Sequence, residues 1–156
     1  MTILKYLFAA FFIIVIALGT LVSTGQIPDS KAVSGDELPS GVISELYEIG
    51  IVPNDEKIHY FYSEDIFSFV NYGNLFTDKT VIAYETDEIS NERNVFSAKY
   101  NEITGIKFDK APNSLDDSTI EIFVNGESSF SLLVSAEENS DDKFYQKLLI
   151  TWEKNK

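Results

Sequence analysis

Residues 120–134 read IEIFVNGESSFSLLV, and this stretch decides the fold class. Ile120, Ile122 and Val124 alternate with Glu121, Phe123 and Asn125. Phe130, Leu132 and Val134 alternate with Ser131 and Leu133. A period of two sends successive side chains to opposite faces, so the stretch reads as two strands with one buried face. Asn125-Gly126 between them favours a two-residue hairpin turn. Parity opposes that turn. Residues directly opposite in an antiparallel pair share a face, and all six apolar positions are even-numbered. A two-residue turn would set Val124 against Glu127 and Ile122 against Ser129. Burial at about 1.5–3 kcal/mol per side chain outweighs a turn preference. The expectation is therefore an odd loop, 125–127 or 125–129. Phe123 and Leu133 point the other way. They read either as an exposed partner-binding patch or as residues covered by the last helix or the N-terminal one.

The same period extends back to Lys57. Ile58, Tyr60 and Tyr62 alternate with His59 and Phe61. A second strand is expected over 66–72, turning at Gly73-Asn74, and a third over 75–85. Two more are expected over 95–100 and 103–109. Residues 110–118 are polar, contain Pro112 and read as a loop. About seven short strands at this spacing predict an antiparallel sandwich or barrel. Helices flank it. Residues 41–49 carry Val42, Ile43, Leu46 and Ile49 on one face, with Ser40 as cap and Gly50 as stop. Residues 141–153 carry Phe144, Tyr145, Leu148, Leu149 and Trp152 in one apolar stripe. Ser140 is the expected cap there. Asp141 and Asp142 lie at the positive end of the helix dipole, Lys154 and Lys156 at the negative end.

Upstream lies a different kind of sequence. Residues 6–22, YLFAAFFIIVIALGTLV, carry no charge, and at 1.5 Å rise per residue they come close to the roughly 30 Å hydrocarbon core of a bilayer. Lys5 precedes the run and every acidic residue follows it, so the C-terminal domain should face outward. The exit, LGTLVSTGQ, lacks a small-x-small cleavage site. Residues 1–22 therefore read as an uncleaved single-pass anchor; cleavage as a signal sequence, with secretion, is the alternative. Residues 23–37 read as a linker and 38–156 as one domain.

The chain has 156 residues, 44% hydrophobic and 13% aromatic, with a net charge of −13. That charge makes nucleic acid and anionic lipid poor partners. There is no cysteine, which excludes disulfides, thiolate zinc sites and a thiol nucleophile. His59 is the only histidine, and no G-x-S-x-G elbow accompanies it. The acidic pairs Glu64-Asp65, Asp116-Asp117, Glu137-Glu138 and Asp141-Asp142 lack calcium-loop spacing and read as solvated turns or a helix start. No catalytic, cofactor-binding or metal-binding residue is assigned.

Strands followed by one amphipathic helix, together with two segments, resemble bacterial pleckstrin-homology-like (PH-like) domains. YFYSEDIFSFVNYGNLFTDKTVIAYE, residues 60–85, is similar to the first three strands of those domains, with Thr77, Asp78 and Lys79 leading into the third. NVFSAKYNEITGIKF, residues 94–108, is similar to strands four and five. The resemblance spans about residues 57–152. It implies a mainly β protein, a small seven-stranded barrel plugged by a C-terminal helix. Founding members bind phosphoinositides through basic residues in the first loop. Here that loop is Ser63, Glu64 and Asp65, so phosphoinositide binding is not expected. The resulting expectation is a non-catalytic, membrane-tethered interaction or scaffolding module of the cell envelope. A regulator or inhibitor of an envelope enzyme, or a carboxylate-dependent hydrolase, is the alternative.

Overall fold

The structure is a computed structural model that describes residues 31–64, 69–87 and 89–156. The apolar run 6–22 lies outside the described residues. No helix among the described residues is long and apolar enough to cross a membrane.

Eight strands and two α-helices make up the described chain. They run β1 (Val33–Ser34), α1 (Ser40–Glu48), β2 (Ile58–Tyr62), β3 (Tyr72–Thr77), β4 (Thr80–Thr86), β5 (Arg93–Lys99), β6 (Ile103–Asp109), β7 (Asp117–Val124), β8 (Glu127–Ser135) and α2 (Ser140–Asn155). All pairings are antiparallel, in one sheet ordered β1-β2-β3-β4-β5 and another ordered β6-β7-β8. The end of the stretch read as linker is therefore part of the domain. Val33 pairs with Phe61 and Ser34 with Tyr60. Gly35 is needed behind them, because a Cβ there would meet the Ile58 carbonyl oxygen at 2.0 Å.

Two cores result. One fills the space between the sheets, with Phe76, Val81, Ile120, Ile122, Leu132 and Val134. Helix α2 closes it through Phe144 and Leu148, both fully buried. The Phe76 and Phe144 rings meet edge to face at 5.0 Å. Trp152 is half-buried against this core, and its indole donates to the Ile103 carbonyl at 3.3 Å. The second core lies on the outer face of the five-stranded sheet, where Leu46 and Val42 of α1 cover Phe61, Leu75 and Ile82. Neither serine caps as expected. Pro39 and Asn139 occupy the N-cap positions, and the Ser140 hydroxyl instead donates to the Ser135 carbonyl at 2.7 Å.

The strand readings need two corrections. Gly73 and Asn74 lie inside β3 and form no turn. A side chain at 73 would collide with the Tyr84 ring, its Cβ only 2.4 Å from the hydroxyl. Asn74 donates across to the Leu133 carbonyl of the other sheet at 2.7 Å. The turn comes at Asp78-Lys79, where the Thr77 hydroxyl accepts from the amides of Lys79 and Thr80 at 3.0 and 2.9 Å. The single strand expected over 75–85 is thus split between β3 and β4.

The second correction concerns parity. The β7–β8 turn is the two-residue Asn125-Gly126 turn after all: Val124 pairs with Glu127 and Phe123 with Ser128. Both turn residues have positive φ, 55° and 84°, as the hairpin turn requires. The next pair, however, is Ile122 with Phe130. Ser129 is an extra residue, a β-bulge that restores the inward face of β8. The same device acts at His59 in β2, between the Ile58–Thr77 and Tyr60–Phe76 pairs. There it turns Ile58 and Phe61 to the outer core and Tyr62 to the inner one.

Candidate functional site

Strand β5 ends its sheet among the described residues. Its pairing with β4 is regular over seven positions, Thr80–Lys99 through Thr86–Arg93. At one end of this hairpin the Asp87 amide donates to the Glu92 carbonyl at 2.8 Å. At the other the Tyr100 amide donates to the Lys79 carbonyl at 3.4 Å. Antiparallel ladders alternate. The backbone groups of Asn94, Phe96 and Ala98 therefore point to β4, and those of Arg93, Val95, Ser97 and Lys99 point away. The Lys99 amide follows this rule, donating to the Glu102 carboxylate at 2.9 Å.

This edge has a concavity on each side. Toward α1, about 440 Å³ is lined by Val95, Ser97 and Lys99 with Tyr47, Pro53 and Glu56. Glu56 is buried there, and its carboxylate accepts from the hydroxyls of Thr77 at 2.5 Å and Thr80 at 3.1 Å. Toward β8, about 400 Å³ is lined by Phe96, Phe130, Tyr72, Asn74 and Leu133. The Phe96 and Phe130 rings stack at 6.5 Å. Val95 and Phe96 remain 47% and 43% exposed. In sequence nothing separates β5 from the other strands; its edge position follows only from the sheet order.

The acidic pairs behave less uniformly than their sequence positions imply. Glu64, Asp116, Asp117 and Glu137, from three of the pairs, gather around a concavity of about 600 Å³ with Tyr62. The Tyr62 hydroxyl donates to Asp117 at 3.1 Å. Partial burial, then the hydrogen bond and charge of Asp117, push the Glu64 carboxyl up to about 7. Burial first, then the charge of Asp117, raises the Tyr62 hydroxyl. Asp141 is fully buried and accepts from the Ser118 hydroxyl at 2.6 Å, while Asp142 pairs with Lys110. Asp65 lies outside the described residues. His59 is exposed, its ring stacked beside Phe76 at 6.2 Å. Among the described residues no three His, Cys, Asp or Glu side chains form a metal-holding group.

Phe123 and Leu133 do not form one patch. Phe123 sits opposite Gly105 of β6, whereas Leu133 sits opposite Thr119, four positions earlier in β7. Leu133 belongs to the β8-side concavity.

The fold as a whole superposes on solved structures of known proteins. The fold is PH-like. A DUF1696-family protein with a pleckstrin-homology domain from Shewanella loihica PV-4 superposes with a TM-score of 0.52 at 19% identity, covering 80% of this chain and 98% of that one. A PH-domain-containing protein from Exiguobacterium sibiricum 255-15 gives 0.51 at 19% identity, covering 80% of this chain and 62% of that one. No known family profile and no curated protein matches the sequence. The likeness is thus one of fold, and it covers the expected mainly β architecture with its C-terminal helix.

Proposed function

We propose that this chain is a non-catalytic interaction module that binds a polypeptide partner. Residues 6–22 hold it at the membrane, with the PH-like domain outside the cytoplasm. One observation carries the binding part: the edge of β5, which no other described strand covers, lies between two concavities, and each of them takes in side chains of β5 itself. The PH-like fold supports the reading, because it offers a rigid scaffold on which a site can be built. The tether rests on the uncharged run and on Lys5 before it.

A photo-crosslinking residue at Phe96 in the full-length protein, expressed in its native cells, tests the binding. A discrete adduct is expected, absent when the crosslinker replaces exposed Lys143 on α2. No adduct from Phe96 would overturn the module reading. The tether is tested by fractionation. The protein should pellet with membranes, resist carbonate extraction and be digested by protease added outside spheroplasts. Protection from that protease would overturn the orientation, and release into the medium would make residues 1–22 a cleaved signal.

A further inference from the structure

The identity of the binding mode can be taken one step further, on the basis of the interaction-module reading above. We propose that the free edge of β5 takes an extended segment of a partner polypeptide as a sixth strand. That segment carries apolar side chains on one face and acidic residues toward its ends.

Four observations lead there. First, Val95 and Ser97 present outward amides and carbonyls, the groups an added strand uses. Second, the edge is long and regular. Bulges fall in β2, β6 and β8, but β5 pairs without interruption and contains no proline. The Lys99 amide is already taken by Glu102, so the open stretch runs from Arg93 to Ser97, five residues at about 3.3 Å each, a template of about 16 Å. Proteins usually blunt such edges with bulges, proline or inward charges. Third, side chains of an added strand would alternate between the two faces, and each face opens on a concavity beside β5. The β8-side one, with Phe96, Phe130 and Leu133, suits apolar or aromatic side chains. The α1-side one mixes Ser97, Lys99, Glu56 and Glu102 with Val52 and Pro53, and suits polar side chains with an apolar stem. Fourth, the ends of the strand are Arg93 and Lys99, two of only twelve basic residues in a chain of net charge −13.

The same charges argue against a second copy of this chain as the occupant. Antiparallel pairing of two copies centred on Val95–Ser97 would set Arg93 of one against Lys99 of the other. Like charges directly opposite each other destabilise a strand pair, and the strong net charge repels copies from one another.

The test uses the full-length protein in detergent micelles and a phage-displayed library of random ten-residue peptides. Selected peptides should alternate apolar with polar residues and be enriched in Asp and Glu at their ends. The tightest should slow hydrogen exchange at the Val95 and Ser97 amides. Ser97→Pro removes an outward donor while leaving the ladder to β4 intact. It should weaken peptide binding by about tenfold or more, a loss of about 1.4 kcal/mol, with an unchanged melting temperature. The double variant Arg93→Glu, Lys99→Glu should weaken binding most at low salt. Failure to select any peptide, or protection confined to another element, would overturn the proposal. Concentration-dependent self-association abolished by Ser97→Pro would show that the occupant is a second copy instead. An adduct from Phe96 in cells that persists unchanged in Ser97→Pro would overturn strand addition and leave the module reading standing.

Discussion

The Tyr62 hydroxyl donates to the Asp117 carboxylate at 3.1 Å, tying the end of β2 to the start of β7 and so one sheet to the other. Glu64 shares that carboxylate, and its own carboxyl is pushed up to about 7, by partial burial first and by Asp117 second. The unfolded chain releases this proton near the ordinary glutamate value of about 4.3. The folded chain therefore binds the proton more tightly between those two values. The stabilisation is fully present below the unfolded value and is lost as pH rises toward 7.

Glu64 is only partly shielded and stays largely accessible to solvent, so screening reduces the effect to on the order of 1 kcal/mol. Urea denaturation at pH 5 and pH 8 should show the wild type losing that much more stability than Glu64→Gln. Parallel profiles for the two proteins would rule the shared proton out.

Helix α2 should show a graded response. Phe144 is fully buried between Phe76 and the rest of the inter-sheet core, so Phe144→Ala should cost about 3–5 kcal/mol. Trp152 is only half-buried, and Trp152→Ala should cost less, about 2–3 kcal/mol. Trp152→Phe keeps most of the contact and removes the donor to the Ile103 carbonyl, a loss of about 1 kcal/mol. Chemical denaturation of the three variants checks the order. A larger loss at Trp152 than at Phe144 would mean that the helix is anchored by its C-terminal half.

The β7–β8 hairpin offers a test of its bulge. Gly126 has φ 84°, and its amide donates to the Thr104 hydroxyl at 2.8 Å. Gly126→Val should cost about 1–2 kcal/mol from the left-handed backbone alone. Deleting Ser129 should be far worse, because the tight turn and the inward Phe130, Leu132 and Val134 then demand opposite registers. Loss of the cooperative melting transition is expected. A deletion variant as stable as wild type would show that the register can be reset elsewhere.

Much of the fold is legible in the sequence because its signals are local. Alternation at Ile120, Ile122, Phe130 and Leu132 marks strands, and the Phe144–Leu148 spacing marks a helix that buries one face. Each follows from a period that the backbone imposes. A bulge adds one residue and inverts that period without leaving a compositional trace. Ser129 and His59 are therefore visible only in the pairing, and there the structure reconciles the Asn-Gly turn with the face pattern. Gly73 illustrates the converse: a residue type that usually signals a turn is required here by the ring of Tyr84, eleven positions away in the chain.

The candidate sites were not legible at all, for the same reason. That β5 ends its sheet among the described residues, with the backbone groups of Val95 and Ser97 facing outward, depends on which strands become neighbours. The gathering of Glu64, Asp116, Asp117 and Glu137 depends on β2 meeting β7 across the two sheets. The sequence by itself determined most of the strands, the two helices of the domain, the strongly acidic charge and the absence of cysteine chemistry. Only the tertiary structure decided which edge stays open and which carboxyl keeps its proton, because both are set by contacts between residues far apart in the chain.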